Sequence, residues 1–158
     1  MRALVLLLLG ASLSLSVNGN GQRWPIHSLC NTSRMQVYYS SCDPIQDVGL
    51  SVSRCPVSMV GEMFVRGALL LRQSVDELYL SLDVSYNGNH VLHYDLPVCE
   101  RHFPRVSSCG RKRGEMVSQE VRVNEDVAIP KGRIDVVAVF LNQNGYQIAC
   151  FNVTAIKT

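Results

Sequence analysis

The chain has 158 residues, and its 15 lysines and arginines against 13 aspartates and glutamates leave a formal charge of +2. So even a balance supplies no strong field for DNA or RNA, which excludes nucleic acid as the main partner. The length suits one domain with one core.

The first element is a leader. Arg2 supplies a positive start, Leu4 to Leu9 an apolar core, and Ser16, Val17 and Gly19 small residues near a cleavage point, so residues 1–19 read as a signal peptide and 20–158 as the mature domain. A membrane span needs about 20 consecutive apolar residues. Ser12, Ser14, Ser16 and Asn18 interrupt this run, and no later stretch is long enough, so the expectation is a secreted chain without a transmembrane segment. In that setting the even set of cysteines, Cys30, Cys42, Cys55, Cys99, Cys109 and Cys150, reads as a disulfide framework rather than a metal or redox site. The sequons Asn31-Thr32-Ser33 and Asn152-Val153-Thr154 fit the same export route and mark Asn31 and Asn152 as expected glycosylation sites.

Beyond the leader the dominant signal is period-two alternation. Met35 to Ser41, Val48 to Ser53 and Met63 to Leu71 are candidate strands. Next, Leu78, Leu80, Leu82 and Val84 interleave with Tyr79, Ser81, Asp83 and Ser85, the pattern of a half-buried strand. Ser74 and Glu77 offer a rival helix-capping box, but the alternation and the Asn87-Gly88 turn that follows favour a hairpin into His90 to Leu96. Met116 to Val123, Ile134 to Leu141 and Gln147 to Ala155 complete the set, the last two joined by a loop over Asn142 to Gly145. Short strands with regular turns and no convincing amphipathic helix give an all-β class, an immunoglobulin-like antiparallel β-sandwich. A true antibody-type domain is excluded, because Trp24, the single tryptophan, precedes every cysteine.

Strand parity assigns faces. A glycan on Asn152 needs solvent, which turns Phe151 and Val153 inward; Val48, Leu50 and Val52 share one face, and Leu80, Leu82 and Val84 another. Periodicity does not distinguish two such walls packed together from two walls held apart.

Four segments carry a resemblance: WPIHSLC (Trp24 to Cys30), SCDP (Ser41 to Pro44), PVCE (Pro97 to Glu100) and SSCGRKRGE (Ser107 to Glu115). With all six cysteines in order, the chain resembles the ML family of lipid-recognition domains. The resemblance implies splayed sheets enclosing an apolar lipid cavity, and disulfides pairing Cys30 with Cys55, Cys42 with Cys150 and Cys99 with Cys109, where the residues alone leave 15 pairings open. It implies a cavity lined by Val48, Leu50, Val52, Leu69, Leu80, Leu82, Val84, Val117, Val121, Ile134, Phe151 and Val153, holding a phospholipid or related amphiphile and no other cofactor. It implies a noncatalytic accessory protein that reaches the cell surface through a leucine-rich-repeat receptor of the Toll-like class, the radioprotective receptor, and modulates innate immune and B-cell responses to bacterial lipid. A closed-core secreted sandwich acting only through protein binding is the alternative. Where an endotoxin-binding member of the family carries a lysine-rich cavity edge, this chain reads Asn124-Glu125-Asp126-Val127-Ala128-Ile129, whose carboxylates repel phosphate. That member's late-strand free cysteine is matched by Val136.

Catalytic signals are weak. His90, His93 and Asp95 resemble an acid–base or ligand cluster, yet strict alternation sends His90 and His93 to opposite faces. His27 and His102 are isolated, and no nucleophile elbow, phosphate loop or zinc signature is present, so no catalytic residue and no metal site is expected. Arg111-Lys112-Arg113 reads as a solvated turn, as a contact for an acidic surface or headgroup, or as a processing site.

Overall fold

The structure is a computed structural model describing residues 24–55, 61–100, 102, 106, 108–123 and 129–158. The leader, Arg101 and Arg105 in the loop between Cys99 and Cys109, and the run from Asn124 to Ala128 lie outside the described residues.

The described residues are all-β, with nine strands: β1 (His27–Asn31), β2 (Met35–Ser41), β3 (Gly49–Val52), β4 (Met63–Leu70), β5 (Leu78–Tyr86), β6 (Asn89–Cys99), β7 (Met116–Val123), β8 (Gly132–Asn142) and β9 (Gln147–Lys157). None of the described segments is a helix long and apolar enough to cross a membrane. They form two antiparallel sheets, one in the order β1-β2-β9-β8-β5-β6 and one in the order β3-β4-β7. Strand β1 is the element that the alternation does not announce: it is short and follows the Pro25-Ile26 segment. The capping-box alternative fails, because Ser74 is spent on loop contacts. Its carbonyl accepts from Asn142 Nδ2 at 3.0 Å, and its hydroxyl accepts from the Arg113 N–H at 3.2 Å.

Turn chemistry sets the hairpins. Asn87 (φ 47°) and Gly88 (φ 83°) both take positive φ, the two-residue geometry that follows the twist of β5 and β6. The β8–β9 loop closes through the Gly145 N–H to the Asn142 carbonyl at 2.9 Å, with the buried Asn142 side chain accepting from Asn144 and Tyr146.

Tyr39, buried in β2, joins the sheets. Its hydroxyl donates to the Val48 carbonyl at 3.1 Å and accepts from the Leu50 N–H at 2.9 Å, bridging the six-stranded sheet to β3. His27 stacks on the Tyr39 ring with centroids 4.8 Å apart and meets Asp47 at 2.8 Å. Nearby, Asp43, only 1 % exposed, pairs with Arg72 and accepts from the Ile45 N–H at 2.9 Å, tying the corner after β2 to the segment after β4. Three disulfides complete the frame: Cys30–Cys55 links β1 to the segment after β3, Cys42–Cys150 links the end of β2 to β9, and Cys99–Cys109 closes a short loop after β6. The cysteines are all paired.

The buried apolar residues form separate groups. One, around Leu71, Val75, Leu78, Cys99, Val117 and Ile148, lies at the Cys99–Cys109 end; a second joins Val48, Ala149 and Phe151; a third joins Cys30, Met35 and Val37.

Replacing Tyr39 by Phe strands the Val48 carbonyl and the Leu50 N–H in a buried setting. The expected cost is about 1–3 kcal/mol in chemical denaturation with disulfides intact, and a loss below that range would show that Tyr39 does not hold the sheets together.

Candidate lipid pocket

Between the first two apolar groups the sheets border a partly open cavity of ≈ 300 Å³. Strands β3, β4 and β7 supply Leu50, Val65, Gly67, Leu69, Val117, Gln119 and Val121 from one wall. The opposite wall carries Leu78, Val98, Ala138, Phe140, Ile148, Ala149 and Phe151, and the connecting segments add Leu71, Val75, Val106 and Ser108. Only Gln119 and Ser108 among these carry polar side chains, so the site offers burial rather than reactive groups. Gly67 keeps the β4 wall thin where Val65 and Leu69 flank it, and Phe140 meets Phe151 edge-on with centroids 5.8 Å apart.

Of the expected lining, the structure places Leu50, Leu69, Val117, Val121 and Phe151 on the cavity. Val48 lies behind it, packed with Ala149 and Phe151, and Val153 fills the space between that group and the Met35 group. Val52 sits opposite the lining residue Val65 on the edge strand β3 but is not itself part of the lining. Leu80, Leu82, Val84 and Ile134 share the cavity-side face of their sheet, since Leu80 pairs with Phe140, Leu82 with Ala138, Val84 with Val136 and Tyr86 with Ile134, but they lie toward the β5–β6 hairpin, outside the lining. Val136 is on the same face, opposite Val153.

Extending the alternation recovers part of what the sequence reading missed. Val65 and Gly67 follow from the parity of Leu69, Leu78 from Leu80, and Gln119 from Val117 and Val121. Ile148 does not follow: a register shift between Phe140 and Leu141 brings Ile148 and Ala149 into the core as consecutive buried residues. Val75, Val106 and Ser108 come from irregular segments and carry no periodic signal.

The edges differ. Tyr39 ties β2 to β3, whereas β6 and β7 are the terminal strands of their sheets. Leu92 and Tyr94 on β6, opposite Val84 and Leu82, are about half exposed, as is Val121 on β7. Apolar side chains therefore continue from the cavity to this edge. On the outer face of the smaller sheet, Arg66 pairs with Glu120 and Arg122 with Glu62, exposed ion pairs that add little stability.

The histidine cluster corrects the expectation from alternation. A bulge between Val84 and Ser85, with Val91 as the extra residue on β6, rotates His90 to the side of His93. Asp83 consequently accepts from His93 Nδ1 at 2.9 Å and meets His90 Nε2 at 3.3 Å, while His93 Nε2 reaches Asp95 at 3.1 Å. Hydrogen bonds to Asp83 and then Asp95 raise the His93 pKa, and the His93 bond holds the Asp83 carboxyl below its usual value. The Ser81 hydroxyl, then His93, does the same for Asp95. All four side chains are solvent-exposed on the face of the sheet away from the cavity, and no group of three or more metal-ligating side chains among the described residues could hold an ion.

Arg111-Lys112-Arg113 forms a pinned turn. The Arg111 carbonyl accepts from the Val75 N–H, the Gly114 N–H donates to the Leu71 carbonyl at 2.7 Å, and Glu115 accepts from the Lys112 N–H at 2.9 Å and meets Arg111 at 3.2 Å. The Lys112 N–H and then Arg111 hold the Glu115 carboxyl below its usual value. A protease needs an extended segment, and these bonds oppose one here. Asn31 and Asn152 are both exposed, Asn152 on the face of the larger sheet away from the cavity.

Known proteins share this arrangement. The ML domain family profile matches residues 36–156. Human lymphocyte antigen 86 is 36 % identical over 142 residues, covering 89 % of this chain and 88 % of its own, and the Gallus gallus protein of that name is 33 % identical over 153 residues, covering 96 % and 91 %. A crystal structure of chicken MD-1 complexed with lipid IVa superposes with a TM-score of 0.77 at 32 % identity, covering 85 % of this chain and 98 % of that one. A match of this extent, in sequence and in sheet arrangement, places the chain in the ML domain family.

Proposed function

We propose that this protein is a secreted, noncatalytic lipid-binding accessory protein that takes the acyl portion of a phospholipid or related amphiphile into the cavity between its sheets. The observation that carries the reading is a partly open, almost wholly apolar space between the two sheets. Burying acyl methylenes there is worth about 0.8 kcal/mol each, so a chain of about 14 carbons gains on the order of 10 kcal/mol before ordering costs. The headgroup stays at the open side. The similarity to chicken MD-1, which was crystallised with lipid IVa, supports the ligand class.

The partner in this reading is a leucine-rich-repeat receptor of the Toll-like class, the radioprotective receptor, which holds the secreted chain at the cell surface and through which it modulates innate immune and B-cell responses to bacterial lipid. Similarity to lymphocyte antigen 86 over most of the chain supports the assignment. The acidic run from Asn124 to Asp126 favours ligands with less phosphate than lipid A.

Native mass spectrometry of the secreted, deglycosylated protein should show near one lipid per chain, identified after organic extraction. A bare mass with no uptake of added phospholipid would instead support a closed module acting through protein alone. Ala138→Trp separates the two readings within one variant: an indole placed in a real cavity should abolish lipid retention while leaving the thermal midpoint unchanged or higher, whereas a filled core would lose about 1–3 kcal/mol from overpacking. Co-expressed with the receptor ectodomain, the protein should co-purify with it, and separate elution would remove the partner assignment.

A further inference from the structure

The larger sheet carries a second concavity of ≈ 240 Å³ on the face away from the lipid cavity, bordered by the side chain of Asn152. Ile26, Tyr38 and Ile156 give it apolar surface, and Arg133 and Thr154 give it polar groups. It is partly built in advance. Asp135 accepts from Arg133 at 2.7 and 2.9 Å and from the Thr154 hydroxyl at 2.6 Å, so one carboxylate orients both polar groups. Tyr38 lies directly across from Thr154, one pleat repeat from Asn152, a diagonal that an aromatic ring spans.

We propose that this groove is a carbohydrate subsite for the protein's own glycan: the first N-acetylglucosamine on Asn152 lies against Tyr38, with its acetamido group within reach of Arg133. The inference rests on the reading that the chain is exported and modified at Asn152. The chemistry of the groove matches the sugar. A pyranose has one face of C–H bonds that packs on an aromatic ring, and its acetamido group combines a methyl, suited to Ile26 or Ile156, with a carbonyl that accepts from a guanidinium. Covalent attachment keeps the sugar at high effective concentration, so contacts too weak to capture free sugar suffice. The glycan is then a fixed part of the sheet surface. Ile26, which is 76 % exposed, is covered by sugar in the mature protein.

The test uses full-length protein secreted from glycosylating cells and trimmed enzymatically to one N-acetylglucosamine per site, with peptide mass mapping to establish occupancy. Asn152→Gln should lower the thermal midpoint by on the order of 3 °C in the parent, and by nothing further in a Tyr38→Ala background. Tyr38→Phe, which keeps the ring, should preserve the coupling. In the trimmed protein the acetamido methyl at Asn152 should show an upfield NMR shift from the Tyr38 ring current, lost in Tyr38→Ala. Additive midpoint changes together with a methyl at the shift of free sugar would overturn the subsite while leaving glycosylation intact. An unmodified Asn152 in the mass map would overturn the export reading at this site and the subsite with it.

Discussion

Among the described residues, the ties that bridge the strands of the two sheets gather on the β2–β3 side, and the rest of the structure depends on that asymmetry. Tyr39 reaches from β2 to the backbone of β3, Cys30–Cys55 crosses the same side, and the Asp43–Arg72 pair closes the neighbouring corner. A sandwich fastened along both sides would draw its walls together until side chains interdigitate. Held along one, the walls leave a cavity between them, and buried apolar residues gather beside that space instead of filling it.

An unfilled interior forfeits dispersion contacts and must be offset elsewhere. Part of the compensation is covalent. Cys42–Cys150 spans 108 residues, and in the chain-entropy account a closure of that length disfavours the unfolded state by about 4–5 kcal/mol. The buried Asp43 and Asn142 serve the corners and loops away from the cavity, so the cavity wall, with only Ser108 and Gln119 carrying polar side chains, needs little hydrogen-bond satisfaction. This separation leaves the wall free to be almost wholly apolar.

Much of the frame is legible in the residues, because alternation and turn chemistry are local. Met35 to Ser41 and Met116 to Val123 read as strands with the bounds they have, and Asn87-Gly88 specifies its own turn. The site is less legible, for three physical reasons. Bulges break parity without a composition signal, which is how His90 comes to face Asp83 and how Ile148 and Ala149 are both buried. Packed and splayed sandwiches require the same inward faces, so Leu80, Leu82, Val84 and Ile134 belong to the right face of the sheet yet stand outside the cavity. Finally, Val75, Val106 and Ser108 reach the site from connecting segments, where sequence spacing carries no geometry. That the interior is hollow follows from the family resemblance and not from local rules.

The position of β9 has a kinetic consequence. The last strand of the chain lies in the interior of the larger sheet, paired on one side with β2 and on the other with β8, and the Thr158 N–H reaches back to the Arg34 carbonyl. Until β9 leaves the ribosome, β1 and β2 have no sheet to join, and Cys42 has no native partner. Pairing of such sequence-distant segments is slow compared with local hairpin formation. Folding of the larger sheet therefore waits for β9, and until it arrives the β5–β6 and β8 segments stand with their apolar faces uncovered, without the strand that unites them with β2.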